Sequence, residues 1–178
     1  MYSFLTAFLR HLCRIARAYG NGSAVHALSS FFFTKLKDEG PAAVAKWTNN
    51  VDVFSMDIIF VPITMSIHHS LCAVVNPGAI VNAYKSDMSP EDRRALLLHM
   101  DSLLAHEEND INKFLFSWLN YLWREHIKGK AITHAVKDET EPFNLARMAF
   151  ASASGTCGST FTLYGYFGAR TILSILLK

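Results

Sequence analysis

The residue best placed to do chemistry is Cys157. It lies in Ala151-Ser152-Ala153-Ser154-Gly155-Thr156-Cys157-Gly158-Ser159-Thr160-Phe161, a run of small residues that delivers one cysteine into an apolar segment reading as a helix. Gly155 and Gly158 let the backbone turn sharply and approach a ligand closely, while the unpaired amides and positive dipole end of a helix favour a thiolate. A lone cysteine at such a junction also fits a buried structural role. Nucleophilic catalysis needs an imidazole and an acid besides the thiol, and both are available upstream on apolar, strand-like segments.

Position separates the eight histidines. His68 and His69 sit just before the strand expected over Ser70 to Val75, where a side chain can project from a sheet edge into a cleft. His99 is two residues from Asp101 and shares that residue's face if the segment is extended, which makes it a minor candidate base. His11, His26, His106, His126 and His134 fall on helical or loop stretches with no evident partner. A metal set built from His68-His69-x-x-Cys72 lacks a second ligand pair at any usual zinc spacing, so no metal is expected. Cys13, Cys72 and Cys157 occur in unlike contexts, without the paired spacing of a disulfide framework or a cysteine zinc site. A reducing, intracellular setting follows as the expectation, in nucleus or cytoplasm.

The elements that must position these groups read as follows. Phe4 to Tyr19 is a helix with Leu5, Phe8, Leu9, Leu12, Ile15 and Tyr19 on its apolar face, ended by Gly20-Asn21-Gly22. Arg10, Arg14 and Arg17 share another face and no acid occurs before residue 38, so residues 1–20 also fit a mitochondrial import signal; the core helix is the reading favoured. Val25 to Leu36 is helical throughout or half extended, Gly40-Pro41 breaks it, and Ala42 to Trp47 is a short helix. Asp57 to Ile63 is a buried strand with a proline near its end. Ser70 to Val75 follows, with Asn76-Pro77-Gly78 turning the chain so that Ala79 to Tyr84 returns as its hairpin partner. Ser89-Pro90-Glu91-Asp92 starts a helix. Leu97 to Leu103 is more helix or a short strand carrying Asp101. Asn109 to about Gly129 is an amphipathic helix, and Asn144 to Phe150 is extended on the way to Cys157. The sum is one α+β domain over residues 1–178, a central mixed sheet with helices before and after it.

Composition narrows the function classes. The chain has 178 residues, 51% of them hydrophobic, which supports a substantial core rather than disorder. A net charge of +2 and the lack of a basic stripe interleaved with aromatics exclude nucleic acid as the main partner. Ile58 to Ile67 is too short and too interrupted to cross a bilayer.

Five segments in order resemble one family. They are Ser29-Ser30-Phe31-Phe32-Phe33-Thr34-Lys35-Leu36; Lys46-Trp47-Thr48 followed by Ile58-Ile59-Phe60-Val61-Pro62-Ile63; Ile67-His68-His69-Ser70-Leu71; Met100-Asp101-Ser102-Leu103; and Thr156-Cys157-Gly158. Together they are similar to the Ulp1/SENP cysteine proteases, which release SUMO and related ubiquitin-like proteins from precursors and conjugates. The resemblance implies a papain-like, Ulp1-type fold and a triad of His68, Asp101 and Cys157, with the Cys157 backbone N–H in the oxyanion hole. It also implies cleavage after the modifier's C-terminal Gly-Gly through a thioester, by a monomer that needs no cofactor. The expected partner is the ubiquitin-like modifier or its conjugate.

Three positions and one segment depart from the family pattern. Ala151 stands where the family places an oxyanion-hole glutamine, and a lost donor of that kind costs about 10²–10³ in rate. Thr156 replaces the aspartate before the nucleophile, and His69 replaces the tryptophan that resembles a lid over the substrate tail. The family's opening Trp-Leu-x-Asp segment is missing. Three readings therefore stand side by side: a ubiquitin-like-protein-specific protease of reduced activity, a catalytically silent module that binds the modifier, and an acyltransferase using the same triad.

Overall fold

The computed structural model describes residues 2–19, 24–65, 67–79, 95–103, 105–128 and 149–153. Five strands form one mixed sheet in the order β1-β2-β3-β4-β5. These are β1 (Val25–Ala27), β2 (Ile58–Met65), β3 (His68–Val75), β4 (Leu96–Met100) and β5 (Ala149–Ala153). β1 and β2 are parallel, β3 runs antiparallel to both β2 and β4, and β5 is parallel to β4. The helices are α1 (Tyr2–Tyr19), α2 (Phe32–Glu39), α3 (Pro41–Val44) and α4 (Glu108–Lys128), with 3-10 turns at Ala45–Thr48 and Val53–Ser55.

Strand alternation sorts the core into two layers. On one face Ile59, Val61, Ile63, Cys72, Val74 and Leu97 meet Phe32, Phe33 and Leu36 of α2 and Ile111, Leu115, Trp118 and Leu119 of α4. The rings of Phe32 and Trp118 pack edge-on with centroids 5.0 Å apart. α4 forms because its apolar residues recur at three- and four-residue spacing and acids occupy its first turn. On the other face Val25, Ala27, Ile58, Ala73, Val75 and Leu98 meet Leu9 and Cys13 of α1.

Several expectations are corrected here. The sheet-facing stripe of α1 is Leu9, Cys13 and Ala16, whereas Phe8, Leu12 and Ile15 are exposed. Leu9 faces the sheet as expected, while the small side chains of Cys13 and Ala16, not the larger Leu12 and Ile15, let the helix lie close to the strands. Val25 to Leu36 divides into β1 and the start of α2. The second strand runs on to Met65 and the third begins at His68, so the two form a tight hairpin of their own. Pro62 is accommodated because β1 pairs only with Ile58, Ile59 and Phe60, leaving β2 unpaired by β1 beyond that point. The return strand expected from Ala79 is not β3's partner: β2 and β4 occupy its two sides, and Ala79 is helical, its N–H donating to Asn76 O. The helix start at Ser89 and most of the Ala79 to Tyr84 segment lie outside the described residues.

Gly40 and Asn76 mark the two left-handed turns of the described backbone, at φ 83° and 48°. Gly40 closes α2 through its N–H on Leu36 O and hands the chain to Pro41 at the start of α3. Asn76 turns the chain out of β3 while its N–H donates to Asp57 O.

Candidate active site

Antiparallel pairing of β3 with β4 puts the first residue of β3 and the residue after β4 at the same end of the sheet. Leu71 faces Met100 in the register, so His68 and Asp101 emerge side by side. His68 Nε2 lies 2.6 Å from Asp101 Oδ1, a short charge-assisted hydrogen bond. Asp101 is 1% exposed and accepts two more bonds, from the main-chain N–H of Leu103 to Oδ1 and of His106 to Oδ2, each 3.0 Å. Burial pushes its carboxyl up, but the His68 hydrogen bond, the two N–H donors and the His68 charge outweigh that and hold it well below the usual carboxylate range. The acid is thus a fixed anion. Among the described residues nothing bonds His68 Nδ1, which leaves it as the free nitrogen of a ring whose other nitrogen donates to Asp101.

His69 points to the opposite face of β3, where Nδ1 pairs with Thr64 Oγ1 at 2.9 Å. His99 lies in β4, and its Nε2 bonds Ser70 Oγ at 3.0 Å rather than Asp101. Ala151 sits in β5 opposite Leu98. Cys157 and Thr156 lie outside the described residues; the strand that precedes them in the chain, β5, ends at Ala153 opposite Met100, at the Asp101 end of the sheet.

Two polar residues were not singled out by sequence reasoning. Ser70 and His106 bond each other, Ser70 Oγ to His106 Nδ1, at 2.7 Å. The loop histidine without an evident partner therefore has one, and its ring also packs against His68. Ser70 carried a legible signal: two residues after His68, it shares that residue's face by strand alternation. His106 carried none, because a loop fixes no face.

His68, Asp101 and His106 each offer a ligand atom, all within 4.8 Å of one another. Cation ligation does not suit them. A metal held at about 2.0–2.2 Å by both His68 and Asp101 needs those atoms well over 2.6 Å apart, and both are already bonded to each other.

Residues 1–158 match the Ulp1 protease family, C-terminal catalytic domain. In sequence the chain is 34% identical over 115 residues to the probable ubiquitin-like-specific protease 2B of Arabidopsis thaliana, covering 58% of this chain and 12% of that protein. It is 34% identical over 107 residues to sentrin-specific protease 2 of Rattus norvegicus, covering 58% and 18%. The chain thus spans less than a fifth of the length of these relatives. In structure it resembles a de-sumoylating protease with a TM-score of 0.61 at 23% identity, over 99% of this chain and 60% of that one. It also resembles the Ulp1 protease domain solved in complex with the yeast ortholog of SUMO, with a TM-score of 0.52 at 16% identity, over 95% and 64%. These likenesses bear out the α+β, Ulp1-type fold. With its profile matched from the first residue to just past Cys157, the chain belongs to the Ulp1 protease family.

Proposed function

We propose that this chain is a thiol peptidase acting at the C-terminal Gly-Gly of a SUMO-like modifier, in precursor processing or deconjugation. The observation that carries the proposal is the 2.6 Å His68–Asp101 pair at the sheet end toward which β5 leads the chain to Cys157. Cys157 lies four residue steps beyond Ala153, a reach of at most about 14 Å. Asp101 on Nε2 fixes the His68 tautomer, so the lone pair sits on Nδ1. Nδ1 takes the Cys157 thiol proton, the thiolate attacks the glycine carbonyl, and imidazolium returns the proton to the departing amine. Water, deprotonated by His68, then cleaves the thioester and frees the modifier's carboxylate. The Cys157 N–H stabilises the oxyanion. Relatives named as ubiquitin-like-specific and sentrin-specific proteases support the substrate class.

A silent modifier-binding module is the second reading, favoured by Ala151, whose methyl cannot donate to an oxyanion. Incubation with a SUMO-like modifier bearing a C-terminal electrophile separates the two. A covalent adduct that disappears in Cys157→Ala establishes the peptidase; saturable binding with no adduct establishes the module.

A further inference from the structure

The His68–Asp101 pair is backed by three polar side chains that the chemistry above leaves unused. Ser70 Oγ stands between two imidazoles, 3.0 Å from His99 Nε2 and 2.7 Å from His106 Nδ1, and all three residues are buried. A hydroxyl has one proton and two lone pairs, so it can donate to at most one of the two nitrogens and at least one ring donates N–H to Oγ. The tautomers of His99 and His106 are thereby coupled. Burial is the leading cause that pushes both histidines down and keeps them neutral, with Asp101 pulling the other way.

His106 reaches both members of the pair at once. Its ring stands against the His68 ring with centroids 4.6 Å apart and planes at 60°, and its main-chain N–H holds Asp101 Oδ2. Ser70 belongs to the same strand face as His68, and His99 to the strand that ends just before Asp101. The Ser70 hydroxyl therefore fastens the loop that carries His106 to the two strands that carry the pair.

We infer that His106 is a positioning residue, tied down by the His99–Ser70–His106 relay, which holds the His68 ring and the Asp101 carboxylate in bonding register. Its ring walls one side of His68, and its backbone sets one oxygen of Asp101 so that the other faces Nε2. Proton transfer is sensitive to such placement, since misplacement by about 1 Å can cost 10²-fold. The rate consequence rests on the peptidase reading; the geometric consequence does not.

The test follows the proton on His68 Nε2, which a short bond to a carboxylate moves far downfield in the proton NMR spectrum and shields from exchange with water. In Ser70→Ala, folded by circular dichroism, its exchange is expected to rise at least about tenfold, the equivalent of one buried hydrogen bond. Ser70→Thr, which keeps the hydroxyl, restores the wild-type rate. If Ser70→Ala does not fold, His106→Asn, which can still bond Ser70 but lacks the ring wall, is read the same way. With a cleavable modifier, Ser70→Ala lowers kcat about tenfold and leaves KM unchanged. A chain that cleaves no modifier would sink the peptidase reading and leave the NMR result standing. Wild-type exchange in the folded variant, with any loss of activity carried by KM, overturns the inference.

Discussion

Replacing Asp101 by Asn tests the anchoring of the site without reference to any substrate. The carboxylate is 1% exposed and accepts three N–H groups, from His68 at 2.6 Å and from Leu103 and His106 at 3.0 Å. An amide has one acceptor atom, so whichever way it turns, its NH2 faces a donor. Turned one way it orphans the His106 N–H; turned the other it orphans the Leu103 N–H and forces His68 to accept at Nε2. A buried donor left unpaired costs about 1–3 kcal/mol, and a hydrogen bond to a charged group is worth about 1.5–3 kcal/mol, so a loss of about 3 kcal/mol at neutral pH is expected. The acid side supplies a second check. Below the ordinary aspartate value of ~3.9 the unfolded wild type binds a proton that the folded protein refuses until far lower pH, so wild-type stability falls there while the variant has no such group. The difference between them should narrow by about 1.4 kcal/mol for each pH unit below ~3.9. Urea unfolding of both proteins from pH 7 toward the acid limit of the folded state measures it. A difference under about 1 kcal/mol at pH 7, or one that stays constant on acidification, refutes the reasoning. On the peptidase reading the orientation that makes His68 accept at Nε2 puts its proton on Nδ1, the nitrogen that must accept from the thiol, and in that orientation a loss in kcat of up to about 10⁴ is expected.

Two further outcomes follow from the structure. Burial pushes His26, His99 and His106 down, with Arg17 and Arg10 adding to the effect at His26. The unfolded chain therefore takes up protons first as pH falls below ~6.5, and stability should drop between pH 7 and 5, read as a falling urea midpoint; a flat or rising midpoint contradicts it. At Gly78 an added Cβ would lie 2.1 Å from Phe54 O, a main-chain atom that cannot step aside cheaply, so Gly78→Ala should cost roughly 2 kcal/mol or more. A thermal midpoint within about 2 °C of wild type would show that the turn after β3 can shift to admit a methyl.

Two kinds of information separate what the sequence showed from what it withheld. α4 was legible because three- and four-residue spacing of Ile111, Leu115, Trp118 and Leu119 states both its type and its buried face. β2 was legible as a run of β-branched residues bounded by polar ones. The strand state of Leu96–Met100 was not, since a short apolar run fits helix or strand until its neighbours β3 and β5 are placed. Asn76-Pro77-Gly78 misled because a turn signature says that the chain reverses, not which strand receives it. On α1 Leu9 was legible as a sheet-facing residue, but the size of Phe8, Leu12 and Ile15 outweighed the small Cys13 and Ala16 that complete the stripe the sheet selects.

The candidate site divides along the same line. His68 and Asp101 could be named from motif resemblance, but their convergence follows from topology: antiparallel pairing sets the start of β3 beside the end of β4, and parallel pairing carries β5 toward that same edge. Local pattern could not supply His106, which lies 36 residues from Ser70 and outside any regular element. Its role is visible only when both its bonds are seen at once, side chain to Ser70 and main chain to Asp101. A His–Asp pair built from two strand ends has no rigid support of its own on the loop side. The buried hydroxyl between two imidazoles provides that support, and it makes Ser70 a better probe of the site than any residue touching substrate.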